Sequence, residues 1–266
     1  MFDIQNEASK ARWQRILVNK MIRLEAAMRV ELKTLMIRQA HTAADFVQHG
    51  ITNVDAVLDR DVPILGVILI RHYRRTATTF SEDVFREIAK LKAEAPQEQK
   101  SMRDDFWMFF NQWARTHAAS KAVGLNNVTK KLIARQISRG QHDGMSYGET
   151  ANLIRTKIPA LSIERAKRIA RTEVHTASTL STDKAVESTR LKFEREWVSV
   201  LDERTRFSHI RANGQRRGQN EAFDVGGEKL MYPGDHKGSA ANVINCRCAL
   251  LYHRVKTVQR RSSNVN

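Results

Sequence analysis

Asp202, His209, Cys246 and Cys248, in the last third of the sequence, have the donor types of a metal site. Two thiolates, an imidazole and a carboxylate could complete a tetrahedral zinc site. On a strand, Cys246 and Cys248 would point to the same face, so their sulfurs could converge. A small domain rich in glycine turns would gain folding free energy from such a staple. Against this, C-x-C is tighter than the usual zinc spacing. The same residues also admit a purely structural reading. In it Asp202 pairs with Arg204, Arg206 or Arg247, His209 is a satisfied partner, and both thiols fill core. A third reading is a metal-dependent nuclease, with Asp202 holding the metal and His209 as the base. One carboxylate and one histidine are few ligands for that chemistry. No P-loop, HExxH, GxSxG or paired-carboxylate motif accompanies them.

These residues need a scaffold. Leu191 to Leu201 alternates apolar and polar residues, as a half-buried strand does, and carries Trp197. Asn213-Gly214 is a tight-turn or hairpin signal, and Tyr232-Pro233-Gly234 is a further turn. Asn245 to Cys248 opens a last strand, Ala249 to Tyr252. Upstream of about residue 190, helix formers dominate and Gly and Pro are sparse. The pattern predicts an α+β chain: a mainly α-helical N-terminal region, then a small α+β domain with a short antiparallel sheet.

The first helix is expected from near Ile4 to about Gly50, or with one break in that span, and Leu17, Met21, Leu24, Met28, Leu32 and Leu35 form one stripe. Further helices are expected at 52–60, 64–78, 80–95, 101–118 and 126–139. Ser81 with Glu82 and Asp83 reads as an acidic helix start. The aromatic run Phe106 to Phe110 with Trp113 reads as a buried helix, or else as a docking surface. Ser146 and Glu149 have the form of a capping box, opening a short helix that ends before Pro159. Ser162 is expected to cap a separate helix, 163–188.

The chain has 266 residues and a formal net charge of +16. Such a balance implies attraction to a polyanion: nucleic acid, an anionic membrane surface or an acidic protein. Arg165, Lys167, Arg168, Arg216, Arg217, Arg260 and Arg261 are the candidates for sequence-independent DNA contact. With two cysteines, a secreted disulfide scaffold is excluded and a reducing site of synthesis fits. The N-terminus lacks the apolar core of a signal peptide. The longest apolar run, Val62 to Ile70, is about half of what a membrane span needs, so no membrane anchor is expected.

One ordered set of residues goes further. Ala170-Arg171-Thr172-Glu173 is followed by Trp197, then Asp202, Arg204-Thr205-Arg206 and His209. Gly214, Phe223, Pro233 and the closing Asn245-Cys246-Arg247-Cys248 complete it. This order resembles the phage head morphogenesis proteins, the Mu F-like minor head proteins, over roughly residues 140–252. Arg171, Glu173, Trp197, Arg204, Arg206, Asn245 and Arg247 are then structural motif positions. The resemblance implies a helical region at 1–140 that could dock on portal or capsid, the family domain at 141–254 and a flexible basic tail at 255–266. It further implies a minor capsid component of a tailed phage, made in the bacterial host cytoplasm and carried in the virion. Expected partners are the portal protein, the major capsid protein and packaged double-stranded DNA, with roles in head morphogenesis, DNA packaging, retention or ejection. No catalytic residues are assigned, and the chain is expected not to be an enzyme. The alternative is a DNA-processing enzyme of the phage head, such as the nuclease above. Some relatives fuse this domain to a C-terminal toxin or transferase module; with 18 residues after Cys248, none is expected here.

Overall fold

A computed structural model describes residues 1–4, 6–91 and 96–255. Five helices come first: α1 (Glu7–Gln48), α2 (Asp55–Asp59), α3 (Val62–Leu91), α4 (Pro96–His142) and α5 (Tyr147–Ser188). The remainder runs β1 (Phe193–Val198), α6 (Phe207–Ala212), β2 (Arg216–Gly218), β3 (Phe223–Val225), β4 (Glu228–Leu230), α7 (Ala240–Val243) and β5 (Ala249–Arg254). The α+β class expected from the sequence is the one observed.

The α1 stripe is the seam of the bundle. Met21, Leu24, Met28, Leu32 and Leu35 are buried, and α1 packs along most of α5. Each such side chain stabilises by roughly 1.5–3 kcal/mol relative to exposure. Asn6 caps the helix through its side chain, which accepts from the Ser9 N–H at 2.8 Å.

Several expected breaks are absent because tertiary packing outweighs local signals. The helices expected at 64–78 and 80–95 are one helix, α3, as far as Leu91; residues 92–95 lie outside the described residues. Ser81 is buried inside it and caps nothing. Asp83 instead pairs with Lys20, and Glu82 with Arg103, so these acids answer to neighbouring helices. The segments 101–118 and 126–139 likewise merge into α4. The Ser146–Glu149 capping box forms, but its helix passes through Pro159 to Ser188. A mid-helix proline costs about 3 kcal/mol. Here Ile154 and Ile158 are buried beside it, and that packing offsets the cost. Ser162 is therefore internal, its hydroxyl donating to the Ile158 carbonyl at 2.8 Å.

The aromatic run divides by face. Phe106 and Phe110 are buried and stack at 5.7 Å, while Met108 remains 72% exposed.

β1 is the central strand of an antiparallel sheet ordered β2-β1-β5, with Trp197 opposite Leu250. β3 and β4 form a separate two-stranded ribbon. The N-terminal residues extend the sheet, because Phe2 bridges Tyr252 and the Asp3 N–H donates to the Tyr252 carbonyl at 2.9 Å. One apolar core runs from Met21 in α1 to Tyr252 in β5, so residues before and after 140 share it. No helix among the described residues is long and apolar enough to cross a membrane.

Candidate functional site

α5 positions the C-terminal loops through one face. Thr172, the adjacent His175 and Thr176, Thr179 and Asp183 recur at spacings of three and four and so line up along the helix. The Thr172 hydroxyl accepts from the Asn245 N–H at 3.2 Å, and His175 Nε2 contacts the Cys248 carbonyl at 2.8 Å. The hydroxyls of Thr176 and Thr179 each donate at 2.8 Å, to the carbonyls of Gly234 and Pro233. Gly234 is required there. Its φ is +75°, and a Cβ would lie 2.5 Å from His175 Nδ1.

The Ala170–Glu173 motif fastens α5 to the bundle as well. Arg171 reaches Glu25 of α1 at 3.6 Å. Glu173 is buried and receives three donors: the Tyr73 hydroxyl at 2.6 Å, His117 Nε2 at 3.1 Å and Lys121 Nζ at 2.9 Å. Burial alone would raise its carboxyl pKa. The His117 hydrogen bond, the Lys121 charge and the Tyr73 hydroxyl instead hold it down at about 2.

Behind β1 lies a second buried pair. Arg195 is fully buried beside Asp183, Nη1 to Oδ2 at 3.2 Å. Its guanidinium also donates to the carbonyls of Met231 at 2.9 Å, Gly218 at 2.9 Å and Glu221 at 2.6 Å. Asp183 accepts from the Tyr252 hydroxyl at 3.2 Å, and burial raises its carboxyl pKa. Sequence reading missed His175, Thr176, Thr179, Asp183 and Arg195. The polar residues recurring at helical spacing within an apolar stretch were the available signal for α5. Arg195, in the Phe193–Val198 strand, gave none.

The centre of the site is formed by His209 on α6 and the two cysteines just before β5, all buried. His209 Nδ1 is 3.2 Å from Cys248 Sγ and 3.7 Å from Cys246 Sγ. The Ser199 hydroxyl accepts from Cys248 Sγ at 3.4 Å and from Trp197 Nε1 at 3.2 Å, and donates to the His209 carbonyl at 2.7 Å. Trp197 is fully buried, edge-on to His209 at 5.8 Å and to Phe223 at 5.4 Å. Burial pushes the Cys246 thiol up. The hydrogen bond from Cys246, with help from His209 and Ser199, holds Cys248 well below the ordinary thiol range. The cysteines converge from a turn and not from a strand, because Asn245 adopts a left-handed φ of 57° that redirects the chain.

Asp202 stands outside this cluster. Its two oxygens accept from Arg247 at 2.6 Å each, and that contact keeps its carboxyl well below the usual carboxylate range. It is therefore neither the fourth metal ligand nor the metal-holding half of a nuclease pair with His209. Arg204 is exposed, with Nη2 3.9 Å from Asp202, and Arg206 donates to the Ile244 carbonyl. Asn213-Gly214 makes a turn, but it joins α6 to β2 because α6 occupies the connection after β1.

The basic candidates separate by burial. Arg165 is corrected: it is buried, donating to Thr129 Oγ1 at 2.9 Å and to the Leu125 carbonyl at 2.6 Å. Lys167 and Arg168 are exposed on α5. Arg216 lies 3.4 Å from Glu196, while Arg217 donates to the Ala222 carbonyl at 3.2 Å. Arg260 and Arg261, with the tail from 256 on, lie outside the described residues.

The sequence profile of the family described as Phage Mu protein F like protein matches residues 131–251. A NAD(+)--arginine ADP-ribosyltransferase, EFV, of Enterococcus faecalis is 30% identical over 128 residues, covering 47% of this chain and 25% of that protein. Minor head protein GP7 of Bacillus phage SPP1 is 31% identical over 123 residues, covering 45% of this chain and 39% of the relative. An uncharacterized protein of Bacillus subtilis, YqbB, is 25% identical over 164 residues, covering 60% of this chain and 52% of its own. The matches thus span a quarter to about half the length of these relatives. No solved structure matches. The transferase overturns one expectation. Because a protein named as an enzyme shares this stretch, the ordered motif does not mark its bearer as non-enzymatic, and that reading of the chain is withdrawn.

Proposed function

We propose, from the premise that residues 131–251 are a Phage Mu protein F like domain, that the chain is a structural protein of a tailed-phage head. The observation that carries this reading is the 123-residue likeness to a minor head protein. The geometry is consistent with it. Arg171 and Glu173 tie α5 to α1, α3 and α4, Thr172 holds Asn245, Trp197 holds Ser199, and Asp202 holds Arg247, so each of these motif positions is engaged in a structural contact. In this role the protein is made in the bacterial cytoplasm and incorporated into the virion beside portal and major capsid proteins. The long helices α1, α3 and α4 supply the surface for that docking. The +16 charge suits a position next to packaged DNA, with exposed Lys167, Arg168 and Arg216 as phosphate contacts. Support for packaging, retention or ejection roles comes from the charge and the family together.

The test is co-expression with the portal and major capsid proteins of the same genome, followed by sedimentation of assembled heads. The expected outcome is a few copies of the chain in the particle fraction. A chain that stays wholly in the soluble fraction while heads assemble rules the reading out.

A further inference from the structure

We propose that His209, Cys246 and Cys248 are a zinc site, a Cys2His donor set with water at the fourth position. The three donor atoms lie within 4.8 Å of one another. Across a tetrahedral zinc with Zn–S near 2.3 Å and Zn–N near 2.0 Å, sulfur and nitrogen ligands sit about 3.5 Å apart. The two His209–thiol separations, 3.2 and 3.7 Å, fall on either side of that value. Two thiolates would balance the dication, so the buried site carries no net charge.

The surroundings hold the ligands from outside, as second-shell partners of a metal site do. His175 fixes the Cys248 carbonyl, and Thr172 receives the Asn245 N–H. Arg206 donates to the Ile244 carbonyl, and Arg247 is clamped by Asp202. Four of the five residues from 244 to 248 are thus positioned by contacts that involve neither sulfur. A metal there would tie α6 to the start of β5. A nucleophilic role for Cys248 fits less well, since its sulfur is buried and already engaged by His209 Nδ1 and the Ser199 hydroxyl. The site does not depend on the head-protein reading, because its evidence is the local geometry alone.

The experiment uses the full chain, expressed in zinc-supplemented medium and purified without a metal-binding tag. Elemental analysis is expected to find about one zinc per chain. The Cys246→Ser/Cys248→Ser double variant is expected to lose at least nine-tenths of it, and His209→Gln to lose most of it. Because the serine variant could misfold, wild-type protein is also stripped by chelation and titrated with cobalt(II). One equivalent should develop a thiolate-to-cobalt charge-transfer band with tetrahedral visible bands, both abolished by added zinc. Wild-type protein without metal and without a thiolate–cobalt band overturns the proposal. So does undiminished zinc in the serine variant, and undiminished zinc in His209→Gln overturns the three-ligand set.

Discussion

Asp202 and Arg247 face each other through two parallel hydrogen bonds of 2.6 Å, carboxylate to guanidinium. The pair closes the turn after β1 against the turn before β5, and it makes Asp202, a candidate metal ligand by sequence, half of a clamp. A lysine cannot reproduce a planar two-pronged contact. Arg247→Lys is expected to lower the thermal midpoint by a few degrees. Asp202→Asn should do the same, and the double variant should add little. Strictly additive losses in calorimetry would show that the two residues act separately.

Arg195→Met leaves Asp183 buried without its partner and three carbonyls without their donor. The expected cost is about 3–5 kcal/mol in denaturant unfolding. Adding Asp183→Asn should recover part of it, because the uncompensated charge is gone. No recovery would point to the lost carbonyl contacts as the whole effect.

Glu173 gives the protein an acid-sensitive component. Its folded pKa, about 2, lies below the ordinary 4.5, so its contribution is complete above about 4.5 and is lost as pH falls toward 2. Denaturant midpoints measured across that window should fall in wild-type protein. Glu173→Gln should flatten the decline while lowering stability at neutral pH. A wild-type curve with the slope of the variant would refute the assignment.

Trp197→Ala removes a fully buried ring and the donor to Ser199, and is expected to cost about 3–5 kcal/mol. Gly234→Ala forces a Cβ toward His175 at a positive φ, for about 1–3 kcal/mol. Equal midpoints for either variant and wild type would contradict the packing described.

DNA binding should be independent of sequence and should weaken steeply with salt. Lys167→Gln with Arg168→Gln is expected to reduce affinity in gel shifts at low salt without changing the fold. Arg165→Gln should instead destabilise the bundle, since that guanidinium holds Thr129 and Leu125. Absence of any shift at low salt would remove DNA from the proposed partners.

The sequence alone determined the α+β class and the α1 stripe, since burying apolar surface at a fixed period needs only local geometry. It also supplied the ordered residues from Ala170 to Cys248, whose types and sequence persist whatever their contacts. The merging of helices across Ser81, Pro159 and Ser162 was decided by tertiary structure. Packing along whole helix faces outweighs a single capping residue or proline by several kcal/mol. Partner choice was decided there too. Asp202 had three arginines within five residues or across the domain, and only the fold brings Arg247 into two-pronged range while leaving His209 to the thiols. The buried Arg195–Asp183 pair belongs to the same class. A charge inside a strand reads as solvent-facing until the structure supplies the carboxylate and carbonyls that make its burial tolerable.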